Sequence, residues 1–338
     1  MDSSSSNVLP DRATDETDRT QLMAARGAIG EVVFGQNEIV DHALTCLLAG
    51  GNALLMGVPG LAKTRLAHVM GQALGLDTRR LQCTPELTPT DIVGCEVTEE
   101  GDYGKRVARF IEGPVFCQLL LVDEINRANP RAQSALLQAM EERRVTIHGR
   151  EHALPTPFHL FGTQNPLEHD GVFPLPEAQR DRFLMQIDVP YPDLATERRL
   201  VAEGHDDLPR ALAACLTASA LSGFQRHVRT LPLDPPIQDL ILAIVRSGRP
   251  GTTTLPLVQK YVAWGPGPRA SQAFGRAVRA RAFLGGRLAP ETADVLALVR
   301  PLLNHRLRLL PLAQRDGVSV DDILHAMVAP RLVHGTGG

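Results

Sequence analysis

A chain of 338 residues with 43% hydrophobic and 22% charged residues can bury a large core, which excludes a disordered or fibrous protein and suggests two domains. Its formal net charge of −3 leaves no electrostatic footprint for nucleic acid, and nowhere do about eighteen apolar residues run uninterrupted, so no nucleic-acid partner and no membrane insertion are expected. Five cysteines, Cys46, Cys83, Cys95, Cys117 and Cys215, are odd in number and lack CxxC spacing; they read as reduced core thiols and, with no apolar leader, point to a cytoplasmic protein.

Residues 1–19 are polar and rich in Ser and Asp, which predicts a flexible tail. Helical patterns over 20–29 and 36–49 lead into an apolar strand over 52–57, and a helix runs from Lys63 to about Leu74. Between strand and helix stands Gly57-Val58-Pro59-Gly60-Leu61-Ala62-Lys63-Thr64. A glycine-rich turn lets backbone N–H groups converge on phosphates, the helix start adds its positive dipole end, and Lys63 adds a full charge. Thr64 offers the hydroxyl that such loops use to hold Mg²⁺. A nucleoside triphosphate is the expected ligand, although the usual GxxxxGK[ST] pattern has Gly where this chain has Ala62.

Residues Arg80–Cys83 predict a second strand, and 84–114, with the turn signals TPELTPTD and EEGDYG, an inserted loop or hairpin. Leu119-Leu120-Leu121-Val122-Asp123-Glu124 reads as a buried strand ending in two carboxylates. In an open parallel sheet ligands bind at the carboxyl ends of strands, so Asp123 can reach the Mg²⁺ held by Thr64. Glu124, leaving the strand, can turn toward the terminal phosphate and polarise a water, which favours hydrolysis over transfer to another hydroxyl. A helix over 130–142, a hairpin over 144–154 and a strand over 158–163 closing on Gln164-Asn165-Pro166 follow. His148, His152, His159 and His169 fall in this region without metal-ligand spacing, so no metal is assigned to them. After a last strand near Ile187–Val189, Pro190 and Pro192 break the pattern. Helices are then expected over 193–203, 207–221, 235–247, 269–284 and 290–303, with Arg276, Arg279 and Arg281 on a solvated face. Strands alternating with helices imply a parallel α/β sheet, followed here by a smaller all-helical domain.

This order of parts is that of an AAA+ ATPase. GVPGLAKT, VDEINRANPRAQSALLQAMEERRVT, FGTQNPLEHDGVFPLPEAQRDRF and GPGPRA resemble the MoxR family within that superfamily, over most of residues 20–330. The resemblance implies a P-loop α/β core over 20–190 and a helical lid over 191–338, with ATP and Mg²⁺ as ligands, and it makes Ala62 usual. It implies that Asn165 is the sensor 1 residue, Arg269 the sensor 2 arginine, and Arg182 the arginine finger given to a neighbouring subunit, with Arg180 an alternative for the finger. Gly35 and Gln36 belong to a segment, Val33–Gln36, that resembles the one packing against adenine. Segments 84–114 and 144–154 resemble the helix 2 and pre-sensor 1 inserts, which face the pore or the partner. The expected assembly is a homo-oligomeric ring, a hexamer, working on a protein client with a von Willebrand A domain protein as co-worker. Alternatives are a cofactor-insertion motor like the magnesium chelatase ATPase subunit or the gas-vesicle ATPase, a nucleotide-gated interaction module, and a DNA motor, the last disfavoured by the missing basic stripe.

Overall fold

The computed structural model describes residues 12–33, 35–61, 63–100, 106–167, 171–203 and 212–332. Helix α1 (Arg12–Val32) begins inside the segment expected as a tail, which corrects the boundary drawn at residue 20. Leu22, Ala25 and Ile29, with Val33 just beyond, recur every three or four residues and are buried. Once such a stripe is packed, extending a helix outward costs little, so the polar residues ahead of it join the helix. Helix α2 (Asn37–Leu48) packs against α1 and is buried along most of its length.

The core then alternates strand and helix: β1 (Ala53–Met56), α3 (Lys63–Ala73) and β2 (Thr78–Gln82), followed by α4 (Pro89–Val93) and the strands β3 (Gly94–Glu100) and β4 (Arg106–Glu112). Next come β5 (Leu119–Asp123) and α5 (Pro130–Glu142), which starts where the Asn129 side chain accepts from the N–H groups of Arg131 and Ala132 and where Pro130 needs no donor of its own. The strands β6 (Arg144–Ile147), β7 (Arg150–Ala153) and β8 (His159–Gln164), helix α6 (Glu177–Arg180) and strand β9 (Met185–Asp188) complete this part. Five strands form one parallel sheet in the order β2-β5-β8-β1-β9. The register pairs Met56 with Gln164 and Gln82 with Asp123. The residues that follow the strands, Gly57, Glu124 and Asn165, therefore gather at one edge.

Both inserts are antiparallel hairpins outside this sheet, β3 with β4 and β6 with β7. They touch one another. The ring of His152 on β7 lies 4.4 Å from that of Phe110 on β4, and Arg150 Nη1 is 3.8 Å from Glu96 Oε1.

Beyond β9 the described residues are helical apart from one short ribbon and the loops: α7 (Leu194–Glu203), α8 (Ala218–Thr230), α9 (Pro235–Ser247), α10 (Pro256–Tyr261), strand β10 (Val262–Trp264), α11 (Pro268–Leu284), α12 (Thr292–Ala297), α13 (Val299–Leu303), strand β11 (Arg308–Leu309), α14 (Pro311–Arg315) and α15 (Val320–Leu332). The helix expected over 207–221 is displaced. Residues 212–217 are not helical, 207–211 lie outside the described residues, and α8 starts where Thr217 Oγ1 accepts from the N–H of Ala220 at 3.2 Å. The helix expected over 290–303 is two, broken at Leu298. Nor do all the α11 arginines face solvent. Arg279 donates to Leu231 O (2.7 Å), and Arg281 Nε lies 3.6 Å from Asp294 Oδ1, because the guanidiniums reach neighbouring lid elements that the local spacing does not reveal.

Candidate active site

The apolar β1 ends at Met56 and the loop that follows turns sharply at Gly60, whose φ of +83° lies in the left-handed region that favours glycine. Lys63 opens α3, and its ammonium donates to Gly57 O (2.6 Å) and Val58 O (2.7 Å), closing the loop over its own backbone. Thr64 Oγ1 donates to the Asp123 carboxylate at 3.2 and 3.3 Å. Asp123 is 4% exposed yet well supplied with partners: besides Thr64, it accepts from Thr163 Oγ1 (3.3 Å) and pairs with Arg80 Nε (2.6 Å). A carboxylate at the end of five buried strand residues is tolerated because these groups replace its water.

Glu124 leaves the strand in a left-handed conformation, φ 55° and ψ 51°, and starts a single 3-10 turn over Ile125–Arg127. Such a backbone is costly for a residue with a side chain and is held by its surroundings. Here the Glu124 N–H donates to Thr163 Oγ1 at 2.9 Å. The turn swings its carboxylate to the cleft side, where Gln82 Nε2 donates to it at 2.9 Å and Arg127 Nε lies 3.2 Å away. Asn165, 7% exposed, sits on the neighbouring strand end, its Oδ1 accepting from the Leu167 N–H at 3.1 Å. Beside both carboxylates, burial pushes the Cys83 thiol up to about 12, helped by the charges of Asp123 and Glu124. It stays protonated near neutral pH.

Apart from Cys83 and Arg127, these side chains line one cleft of about 470 Å³ that also includes Pro59, Gly60, Leu61 and Gln36, a size that suits a small ligand. Its far wall is mostly apolar: Val33, from the segment expected beside adenine, and Val32, Pro192 and Thr196, which were not read from the sequence. Gly35 stands behind that wall. Its φ is +71°, and a Cβ there would come within 2.4 Å of Thr196 Oγ1, so α7 can approach only a glycine. Ala62, Phe34 and His169 lie outside the described residues. Arg80, Gln82 and Thr163 were also missed; the signal available was polar side chains near strand ends, in RRLQ and FGTQ.

Arg182 and Arg269 are not in this cleft. Helix α5 runs back from the end of β5, which carries Glu141 to the opposite edge of the sheet, and there Glu141 Oε1 takes both arginines: Arg182 Nε at 3.2 Å and Arg269 Nη2 at 3.0 Å. The same edge is marked by the start of β9, where the Leu184 N–H donates to Asn52 O (2.8 Å). Arg269, expected at a nucleotide as sensor 2, is thus remote from Lys63 of its own chain, because α11 packs on α2 and the lid helices rather than over the P-loop. The segment carrying Arg182 is gripped by Arg306, 2% exposed, whose guanidinium binds Asp181 Oδ1 (2.7 Å), Asp181 O (3.1 Å), Phe183 O (2.8 Å) and Leu184 O (3.1 Å). Arg180 is half-buried, and burial lowers its pKa.

Comparison with known proteins agrees with this geometry. Residues 52–185 match the ATPase family associated with various cellular activities (AAA), and residues 256–327 match the AAA lid domain. The chain is 35% identical over 302 residues to Chaperone MoxR1 of Mycobacterium tuberculosis, covering 89% of this chain and 79% of that protein. It is 32% identical over 305 residues to Protein MoxR of Paracoccus denitrificans, covering 85% and 88%. A crystal structure from Cytophaga hutchinsonii, of a protein provisionally assigned as an ATPase, superposes with a TM-score of 0.83 at 30% identity and covers 94% of this chain and 97% of its own.

Proposed function

The chain belongs to the MoxR family of AAA+ ATPases, and from that premise we propose that it hydrolyses ATP with Mg²⁺ in a homo-oligomeric ring, a hexamer, that remodels or matures a protein client. The observation that carries the hydrolytic reading is the pair of acids at the end of β5. Asp123 lies 3.2 Å from the Thr64 hydroxyl, and Glu124 is turned by its left-handed backbone into the cleft that Lys63 and the P-loop floor.

The donor set fits the metal. A hydroxyl and a buried carboxylate are hard oxygen ligands, and Mg²⁺ binds through one or two such groups while keeping waters and phosphate oxygens. When bound there, it would neutralise charge on the phosphates. The chain's own groups do the rest. Loop N–H groups and the start of α3 hold the phosphates, and Lys63 exchanges its carbonyl partners for phosphate oxygens. Glu124 takes a proton from the attacking water, and the Asn165 amide orients that water. The wall of Val32, Val33, Gln36, Pro192 and Thr196 receives the base by largely apolar packing, and ATP as the nucleotide rests on the family.

The shared position of Arg182 and Arg269 at the far edge of the sheet supports a role in trans. Neither reaches its own chain's cleft, but the neighbour's nucleotide in a ring can receive both, with Glu141 as their partner in the isolated chain. The joined hairpins of the two inserts supply the surface for the client or for a von Willebrand A domain co-worker. The cytoplasm suits this work; among the described residues no helix is long and apolar enough to cross a membrane.

Nucleotide titration alongside phosphate release tests the reading. Glu124→Gln keeps ATP affinity within about threefold while turnover falls by about 10² or more, since the amide cannot accept the proton. Lys63→Ala loses binding itself. Hydrolysis by Glu124→Gln at the wild-type rate would refute the role of Glu124.

A further inference from the structure

The edge strand β2 places a cation directly on Asp123, the carboxylate assigned above to the metal. Arg80 and Gln82 stand two apart on β2, so both point to the same face, and both are exposed on the cleft side while Leu81 is buried behind them. Gln82 is paired in register with Asp123 on β5. From this position Arg80 Nε reaches Asp123 Oδ2 at 2.6 Å, shorter than the 3.2 and 3.3 Å contacts of Thr64 with the same carboxylate. Arg80 Nη2 also donates to Gln82 Oε1 (3.1 Å), whose amide nitrogen in turn donates to Glu124 (2.9 Å). Both site carboxylates are therefore held from one strand.

The geometry points to Arg80 as a positioning residue that makes metal binding conditional on nucleotide: its guanidinium occupies the Asp123 carboxylate and yields it only when the phosphates offer the cation another partner. A dication entering beside Thr64 needs the oxygen that Arg80 holds, and two cations on one nearly buried carboxylate repel each other strongly in that low-dielectric setting. The Arg80 side chain is 59% exposed and so has room to swing, whereas Asp123, at 6%, is fixed. With a triphosphate in the cleft the guanidinium can turn to phosphate oxygens, for which its planar fork is well matched. Metal and nucleotide then enter together, and the metal alone is kept out.

This rests on Thr64 and Asp123 being the metal ligands. The test uses the full chain and Mn²⁺ as a paramagnetic probe, followed by electron paramagnetic resonance with and without a non-hydrolysable ATP analogue. Without nucleotide, Arg80→Gln is expected to bind Mn²⁺ at least about tenfold more tightly than the wild type, and Arg80→Lys, which keeps the charge, to stay near the wild type. Asp123→Asn combined with Arg80→Gln abolishes the gain. With the analogue present the difference between wild type and Arg80→Gln shrinks. Equal nucleotide-free Mn²⁺ affinity in wild type and Arg80→Gln, at matched thermal unfolding midpoints, overturns the inference. A gain that survives Asp123→Asn overturns it too. If no variant binds Mn²⁺ even with the analogue, the reading of the ligands themselves fails, and that result is distinct from the others.

Discussion

His159 offers a quantitative test of how the helical part is fastened to the sheet. It opens β8, is fully buried, and its Nδ1 lies 2.8 Å from Gly51 O while its Nε2 lies 2.9 Å from Gln225 Nε2 on α8. A carbonyl can only accept, so Nδ1 carries the proton and Nε2 accepts from the Gln225 amide, which also donates to Leu47 O at 2.8 Å. A second proton on Nε2 would face an N–H group in a dry site. Burial accordingly lowers the histidine from its ordinary 6.5 to about 4, with nearby Arg143 adding to the effect and the Gly51 bond opposing it. Between those two values the unfolded chain takes up a proton that the folded chain refuses. The stabilisation is thus complete above pH 6.5 and is lost as pH falls toward 4, a total of about 3 kcal/mol at roughly 1.4 kcal/mol per pH unit. Urea unfolding from pH 7.5 to 4.5, for the wild type and for His159→Gln, isolates this part, since the other titrating groups are common to both proteins. The wild type is expected to lose about 2 to 3 kcal/mol more than the variant over that range. Parallel curves would refute the assignment of a neutral, acceptor Nε2.

Mixing two inactive proteins, Arg182→Ala and Glu124→Gln, should restore partial phosphate release, because a mixed interface can join an intact Glu124 to an intact neighbouring Arg182; no recovery despite co-assembly shown by sedimentation counts against a finger in trans. Arg182→Ala alone should bind ATP normally and turn over about 10³-fold more slowly. Thiol labelling of the native protein at pH 7.5 should modify the exposed Cys95 first and the half-buried Cys215 more slowly, leaving Cys46, Cys83 and Cys117 until unfolding. Fast reaction of more than two thiols would contradict the burial of those three.

Much of the chemistry was legible because it is written in short range. A glycine-rich turn behind an apolar strand, a lysine and a threonine at a helix start, and an apolar strand ending in Asp-Glu each depend on neighbours in sequence, and Lys63, Thr64, Asp123 and Glu124 all came to one cleft. Helices with clear caps were equally plain, as at Asn129-Pro130, whereas the start of α8 was misjudged and α12 and α13 were merged, because apolar spacing alone does not mark where a helix stops.

What the sequence could not supply was the order of strands. Pairing β8 between β1 and β5 is what sets Asn165 and Thr163 beside the P-loop and the acids, and putting β2 at the edge beside β5 is what brings Arg80 and Gln82 onto the two carboxylates. The same holds for Arg269, which the family resemblance would send to a nucleotide. The packing of α11 on α2 sends it instead to Glu141, next to Arg182. Residue types and their local spacing fix which chemistry a chain can perform, since backbone turns and strand ends are local. Which groups meet across a sheet, and on which of its two edges, is decided by burial of the whole set of apolar faces at once, and that is a property of the tertiary fold.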